Sequence, residues 1–167
     1  MRSGGRGSVV LLLLVAIVLL RPWESWDGLG GDEPRSATVL VTRVVDGDTV
    51  EVQLGGEEED VRYIGVDTPE TVKPNEPVQC FGPEASAFNH RLVERQRVRL
   101  VFGEERRDVY GRLLAYVYLG DRFVNAELVR RGFARTLTIP PNDRYADRFK
   151  RLQMAAARAG RGLWGAC

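Results

Sequence analysis

The chain has few of the residues from which zinc sites and histidine-based nucleophilic sites are built. Its 167 residues include one histidine and two cysteines. A structural zinc site takes four cysteine or histidine ligands, so this composition argues against one. Any metal held here would have to be bound mainly by oxygen ligands.

The chain also has little net charge of either sign. Its formal net charge is +1, and without Arg2, Arg6 and Arg21 the acidic residues are in slight excess. A strongly basic body that attracts nucleic acid over a long range is therefore excluded. Phosphate binding would have to come from local patches. Nine basic residues between Arg130 and Arg161 form one such patch, or simply a solvated helix face.

The longest apolar run is short and lies near the N-terminus, at residues 9–20. Twelve residues at about 1.5 Å each cover about 18 Å of a hydrocarbon core about 30 Å thick. Arg2 and Arg6 precede the run and Arg21 follows it, which is typical of a secretory signal or an uncleaved signal-anchor. Residues 1–21 therefore predict an exported protein, either secreted or held at the cell-surface membrane.

A linker and one folded domain are predicted after this segment. Residues 22–36 mix proline, glycine and acids without periodicity, as linkers do. Residues 37–167 are predicted to form the domain. The apolar and charged fractions of the whole chain, 44% and 28%, are those of a globular protein.

Three apolar runs at the start of the domain predict β-strands, at residues 39–45, 50–54 and 61–66. Asp46-Gly47 predicts a hairpin between the first two, because glycine tolerates positive φ. The acidic residues 57–60 are predicted as a solvated turn.

The rest of the domain alternates helices and strands. The predicted elements are a helix that opens at residues 81–84 and carries an apolar stripe as far as Val93, strands at 98–102 and 113–119, a helix at 121–131, a loop at 136–142 and a last helix at 143–159. The fold class is therefore α+β, and a five-stranded barrel of the OB type with three helices is the natural closure because it removes exposed edges.

The two cysteines, Cys80 and Cys167, suit one disulfide in an exported chain. Such a bridge would tie the last residue to the body of the domain. The alternative is two free thiols.

Acidic residues stand where the predicted strands end. If the first three strands curl against one another, Asp48 and Asp67 meet, with Glu70 beside them and Arg62 pointing to the same place. Carboxylates suit a hard cation and a guanidinium suits a phosphate ester. This pattern predicts a metal-dependent phosphodiesterase.

Five motifs follow one another in the domain: Val45-Asp46-Gly47-Asp48-Thr49, Arg62 with Val66-Asp67-Thr68-Pro69-Glu70, Phe81-Gly82-Pro83-Glu84-Ala85-Ser86-Ala87-Phe88, Asp108-Val109-Tyr110-Gly111-Arg112-Leu113-Leu114-Ala115-Tyr116, and Leu163-Trp164. Each is weak alone, but all five in this order are specific. From about residue 38 to residue 164 the chain resembles the staphylococcal nuclease (thermonuclease) family.

The resemblance implies an OB-type barrel with three helices and calcium-dependent hydrolysis of DNA and RNA that leaves the phosphate on the 3′ side. By motif position, it implies calcium ligands at Asp48, Asp67 and the Thr68 carbonyl with Asp46 just outside them, a catalytic group of Arg62, Glu70 and Arg112, and a substrate-phosphate contact at Tyr110. The expected partner is a nucleic-acid substrate, and the expected oligomeric state is a monomer.

Two departures from the family pattern affect the nucleotide pocket. Val109 stands where the family has lysine, and the loop that supplies stacking tyrosines reads Thr138-Ile139-Pro140-Pro141. Since stacking a base on an aromatic ring contributes about 1–3 kcal/mol, a weaker pocket is predicted. Two other functions stay open: a non-catalytic barrel that binds nucleic acid or peptide, and an exported calcium-binding structural domain.

Overall fold

The structure, a computed structural model, describes residues 35–71 and 77–167. The predicted signal or anchor segment, residues 1–21, lies outside the described residues, as does nearly all of the predicted linker. None of the helices in the described ranges combines the length and apolarity needed to cross a membrane.

The core of the fold is a closed barrel of five strands. The strands of the structure are β1 (Ser36–Asp46), β2 (Thr49–Leu54), β3 (Glu57–Tyr63), β4 (Gly65–Asp67), β5 (Arg97–Arg107), β6 (Leu113–Leu119), β7 (Arg122–Phe123) and β8 (Arg135–Leu137). The order β3-β2-β1-β5-β6 closes on itself because β3 also pairs with β6. The α+β class and the five-stranded barrel are confirmed.

Three main helices pack against the barrel, as predicted. They are α1 (Gly82–Val93), α2 (Val124–Arg131) and α3 (Ala146–Arg158), and a four-residue helix, α4 (Leu163–Ala166), follows them. Pro83 stands in the first turn of α1, where proline loses no helical hydrogen bond. The helix α2 ends at Gly132, whose left-handed backbone is the common way to stop a helix.

Alternate side chains of the strands fill the barrel interior. Val41, Val50, Val52 and Val61 are fully buried. On α3, Phe149 and Ala156 are buried. Burying valine or phenylalanine side chains contributes about 1.5–3 kcal/mol each, so these residues stabilise the barrel.

Several predicted boundaries are wrong. Residues 122–123, predicted as the start of a helix, form β7, β8 overlaps the predicted loop 136–142, and the last helix begins at residue 146 rather than 143. Residues 57–60 begin β3 rather than forming a turn, because the turn is made by Gly55 and Gly56, both at positive φ. The strand β5 continues to Arg107, five residues beyond the predicted end, and Arg107 pairs there with Glu59 of β3 at 2.7 Å. A run of consecutive charged residues on a solvated strand looks like a loop in the sequence.

The predicted strand 61–66 is split into β3 and β4. Gly65 bends the chain with φ of +79°, and a Cβ at this glycine would lie 2.5 Å from the ring of Phe149. The bend turns β4 away to pair with β8. It also places Asp67 and the residues that follow it at the open end of the barrel.

Cys80 and Cys167 form a disulfide across 87 residues of sequence. Cys80 lies just before α1 and Cys167 just after α4. The bridge therefore ties the C-terminal residue to the segment that leads into α1.

We expect the double variant Cys80→Ser with Cys167→Ser to unfold more easily than the wild type by about 3–5 kcal/mol, because the bridge restricts the unfolded chain. Thermal and denaturant unfolding would measure the difference. Reduced wild type should match the variant, and the variant should not respond to reductant. Equal stability of the oxidised wild type and the variant would contradict the expectation.

Candidate active site

One cavity of about 570 Å³ at the end of the barrel brings together all the residues that the sequence singled out for metal, catalysis and substrate. These are Asp46, Asp48, Arg62, Asp67, Thr68, Glu70, Tyr110 and Arg112. Asp60 also lines the cavity, although the sequence placed it in a solvated turn. Their individual roles stay predictions.

The barrel positions these residues through strand ends. Asp46 ends β1, and Asp48 lies in the turn to β2. Arg62 on β3 stands opposite Thr49 on β2, and the Tyr63 N–H donates to the Asp48 carbonyl at 2.9 Å. Asp67 ends β4. Since these ends share one rim, side chains distant in sequence meet.

Arg62 lies between the two aspartates predicted to bind the metal. Its Nη2 lies 3.2 Å from Oδ2 of Asp48 and 3.1 Å from Oδ1 of Asp67. Its Nη1 donates to the carbonyls of Tyr63 and Val66, at 2.8 and 2.7 Å. With five donors in a planar fork, the guanidinium holds β3, β4 and both carboxylates in one arrangement.

The second arginine, Arg112, is oriented by Asp108, a contact that the sequence did not predict. The Asp108 Oδ2 accepts from Arg112 Nε at 2.8 Å and lies 2.7 Å from Nη2. Its Oδ1 accepts from the backbone N–H groups of Tyr110 and Arg112, both at 3.0 Å. An aspartate that caps its own turn is a recognisable pattern, so spacing alone could have found it.

Glu70 is positioned by Gln79, which follows residues 72–76 in the sequence. Its N–H donates to Gln79 Oε1 at 3.1 Å, and the Gln79 N–H donates to the Glu70 carbonyl at 2.9 Å. At Gly82, a Cβ would lie 3.1 Å from the Pro69 and Glu70 carbonyls, so glycine lets α1 begin against this backbone. Gln79 sits in an aperiodic loop and carries no sequence signal.

Asn89 supports Asp46 from inside α1, and sequence reasoning missed it as well. It is fully buried, donates from Nδ2 to the Asp46 carbonyl at 3.1 Å, and accepts from the Tyr63 hydroxyl at 3.2 Å. Thr71 donates to Asp46 Oδ1 at 2.7 Å. A single asparagine next to an apolar stripe does not reveal two such partners.

Two of the carboxylates in the cavity, those of Asp46 and Asp48, are buried. Burial raises the pKa of Asp46 to about 6, and a hydrogen bond with Glu70 and the charge of Asp48 add to the rise. Burial also raises the pKa of Asp67, which Arg62 partly offsets. Desolvated carboxylates are the surroundings in which a cation is stabilised.

The donor set fits a hard cation that keeps several of its own ligands. No group of three or more His, Cys, Asp or Glu side chains in the described ranges has metal-site geometry. Two carboxylates and a backbone carbonyl, as predicted at Asp48, Asp67 and Thr68, supply oxygen ligands only. Calcium takes six to eight oxygen ligands and accepts water and substrate oxygens among them.

Comparisons with known proteins agree with this geometry. The sequence model described as "Staphylococcal nuclease homologue" matches residues 60–166. The chain is 44% identical over 163 residues to "Thermonuclease" of Staphylococcus intermedius, across 93% of this chain and 95% of the relative. It is 39% identical over 156 residues to "Thermonuclease" of Staphylococcus hyicus, across 93% and 92%. "Endonuclease YncB" of Bacillus subtilis (strain 168) is 40% identical over 135 residues, across 80% and 64%.

The chain belongs to the staphylococcal nuclease family. It is a nuclease, a hydrolase of phosphodiester bonds. The cavity is therefore the candidate active site of a nuclease.

Gly47 of this nuclease is needed for a reason that the sequence did not predict. The hairpin between β1 and β2 is present, but Gly47 is not at positive φ. Instead, a Cβ there would lie 2.7 Å from Thr68 Oγ1 and 2.8 Å from Thr68 Cβ. The glycine lets the turn reach Thr68, whose N–H donates to Asp48 Oδ2 at 2.7 Å.

We expect Gly47→Ala to displace Thr68, to lower stability by about 1–3 kcal/mol as overpacking does, and to reduce nuclease activity at least tenfold. Denaturant unfolding and initial cleavage rates would measure both effects. A double-mutant cycle with Thr68→Gly is the control, because that change removes every atom the new methyl would strike. Equal effects of Gly47→Ala in both backgrounds would contradict the packing explanation.

Proposed function

We propose that this protein is an exported, calcium-dependent nuclease that cleaves DNA or RNA and leaves 3′-phosphate ends. The observation that supports the proposal best is the single cavity in which desolvated carboxylates and two arginines face each other. Carboxylates without arginines would suit a plain cation site, and arginines without carboxylates would suit a plain anion site. Both together suit a phosphodiester and a divalent ion.

Asp48, Asp67 and the Thr68 carbonyl are the ligands we assign to Ca²⁺, with Asp46 outside them. When bound, the ion supplies Lewis-acid polarisation of a phosphoryl oxygen. The hydrogen bond from the Thr68 N–H holds Asp48 in place for this role, and Arg62 holds both aspartates. Groups outside the ligand set thus keep the oxygens aimed at one point.

Glu70 is the residue we assign to accept the proton of the attacking water. The water oxygen forms a bond to phosphorus, and the bond from phosphorus to the 5′-oxygen of the leaving nucleotide breaks, so the phosphate stays on the 3′ side. Glu70 lines the same cavity as both arginines, and Gln79 holds its backbone from two sides. Its place in this cavity supports the assignment of Glu70 as the general base.

Arg62 and Arg112 stabilise the charge that builds on the phosphoryl oxygens. Asp108 holds one edge of the Arg112 guanidinium, through Nε and Nη2, so the fork is oriented before substrate arrives. Tyr110, whose ring centroid lies 5.4 Å from Arg112 Cζ, is 80% exposed at the mouth of the cavity. We assign it to a terminal phosphate of the substrate.

A second cavity, of about 280 Å³, shares Arg62, Tyr110 and Arg112 with the first. Leu137 and Ile139 line it in the loop where the family supplies stacking tyrosines, while Tyr110 contributes an exposed aromatic ring. Aliphatic side chains offer a nucleobase apolar contact but no stacking partner. We infer that this nuclease holds an individual nucleotide less tightly than a site with stacking rings would.

Export and domain boundaries belong to the same proposal. We propose that residues 1–21 direct export, that residues 22–36 link them to the domain, and that residues 37–167 act as a monomer. The disulfide between Cys80 and Cys167 supports export, because such bridges persist in oxidising compartments. An uncleaved first segment would leave the nuclease on a membrane surface.

The direct test incubates the full chain with single-stranded DNA or RNA, with calcium or with a chelator. We expect cleavage with calcium only and product ends that carry a 3′-phosphate, which end-labelling before and after phosphatase treatment would detect. Retention of the strand without cleavage would instead indicate a binding module. Neither retention nor cleavage would indicate a structural calcium-binding domain.

We expect Arg62→Lys and Arg112→Lys each to lower the turnover rate by about 10²–10³, because a lysine replaces a fixed fork of donors by one point charge. Single-turnover rates at saturating calcium would measure the loss, with circular dichroism to show that the fold survives. Arg122→Lys, on the exposed strand β7, is the control and should leave the rate unchanged. A near-normal rate in either variant would remove that arginine from the mechanism.

A further inference from the structure

A surface outside the cavity already described combines phenylalanine rings with arginines. We call it the phenylalanine–arginine surface; its residues are Phe81, Phe88, Arg130, Arg131, Phe133 and Arg161. A cavity of about 520 Å³ opens on it, and among the described residues that line this cavity the charged ones are all arginines. The active site makes no use of these residues.

The three rings of this surface form a stack. The rings of Phe88 and Phe133 have centroids 4.5 Å apart and lie within 15° of parallel, and those of Phe81 and Phe133 lie 5.5 Å apart and within 21°. All three residues are half-buried, so part of the stack faces solvent. A partly exposed stack of flat rings is a platform on which a further planar group can lie.

The arginines stand around this platform. The Arg130 and Arg131 side chains are 48% and 50% exposed, and Arg131 Cζ lies 5.4 Å from the Phe88 ring centroid. Both pair with Glu127, while the exposed Arg161 lies against the Arg130 carbonyl at 3.4 Å. Glu127 offsets one of these three positive charges, so the surface keeps a positive charge.

The surface continues the active-site cavity along the protein. A small cavity of about 180 Å³ lies next to the active site and shares Asp67 and Thr68 with it. Cys80 and Leu163 also line this small cavity, and the residues next to them in sequence, Phe81 and Gly162, line the cavity on the phenylalanine–arginine surface. The three cavities therefore follow one another from the active site past the disulfide.

Phe81 keeps its ring here against a backbone preference. It has φ of +67° at the start of α1, a left-handed conformation that glycine or asparagine adopts at lower energy. Unfavourable backbone of this kind is concentrated at functional sites. The barrel core does not explain the ring, because Phe81 is not part of the core cluster.

We propose that the phenylalanine–arginine surface binds a single-stranded segment of the substrate nucleic acid that extends beyond the active site. Unpaired bases stack on the exposed rings, and the backbone phosphates lie against Arg131 and Arg161. The inference rests on the proposed function, because the strand reaches this surface from the catalytic cavity. The surface makes strand length, rather than a single nucleotide, the source of affinity.

The chemistry favours a single strand over other polyanions. A duplex hides the faces of its bases and would use the arginines alone, whereas unpaired bases of any sequence can stack. A membrane surface would need apolar side chains that insert, and the rings of this surface are half-buried in a stack. Because the cavity at Leu137 and Ile139 is inferred to bind a single nucleotide weakly, contacts farther along the strand would contribute more of the affinity.

The test measures binding without cleavage. Fluorescence anisotropy of the full chain in a chelator, with a labelled single strand of twenty thymidines, a labelled dinucleotide and a labelled duplex, gives Kd at several salt concentrations. We expect Arg131→Gln with Arg161→Gln to weaken binding of the long strand at least fivefold and to lower the salt slope by about 1.4, because each lost single-strand phosphate contact contributes about 0.7. Dinucleotide binding should not change.

Substitutions at Phe81 test the contribution of stacking to binding separately from that of charge. We expect Phe81→Leu to weaken binding of the long strand at least about fivefold, and Phe81→Tyr to keep it, because tyrosine retains a flat ring. Neither change should affect the duplex. The matched control is Arg97→Gln with Arg122→Gln, two exposed arginines that line none of the cavities described.

The outcomes distinguish this inference from the proposed function. If the arginine double variant binds the long strand no worse than the control variant, or if Phe81→Leu binds like the wild type, the surface does not hold the strand as proposed. A calcium assay in parallel tests cleavage. Absence of cleavage by the wild type would reject the proposed function, while the binding measurements would still decide the role of the surface.

Discussion

The parallel pairing of β3 with β6 is the contact on which the rest of the molecule depends. In its register Arg62 faces Leu114 and Val61 faces Leu113, so Arg112 stands directly before the paired segment of β6. The two arginines are fifty residues apart in sequence, and this pairing brings them to one cavity. Because it also closes the barrel, the same hydrogen bonds serve both the fold and the site.

Closing the barrel creates a rim at which polar side chains are held in fixed positions. Polar groups in a fold are positioned by hydrogen bonds, and three residues at this rim obtain theirs from residues outside the predicted ligand and catalytic set. Asn89 reaches Asp46 from α1, Gln79 reaches Glu70 across residues 72–76, and Asp108 reaches Arg112 within its own turn. The charged groups therefore meet in orientations that are set before a substrate arrives.

The position of the disulfide links the C-terminus to this rim. Cys80 follows Gln79, which contacts Glu70, and Cys167 ends the chain. Both cysteines line the small cavity, which Asp67 and Thr68 also line, and the first cysteine precedes one of the stacked phenylalanines in sequence. The disulfide thus lines the small cavity next to the catalytic cavity.

Local patterns in the sequence were enough to predict the barrel class, the three main helices and the meeting of Asp48, Arg62, Asp67 and Glu70. The other predicted site residues, Asp46, Thr68, Tyr110 and Arg112, came from the family resemblance. Alternating valines, the prolines and glycines at element ends, and acids at strand ends are signals of nearest neighbours, which the sequence records directly. They failed where a solvated strand face looked like a loop, as at residues 57–60, and where glycine served a close approach rather than a positive φ, as at Gly47.

What only the tertiary structure decided is which groups hold the site in place. Asn89 and Gln79 have no pattern that marks them, since their partners lie 43 and 9 residues away and are chosen by the closed barrel. The same holds for the ring stack, in which Phe81 at the start of α1 and Phe88 in the middle of α1 meet Phe133 just after α2. The sequence determines the chemistry of each side chain, but long-range hydrogen bonds and ring contacts form only once the barrel has closed.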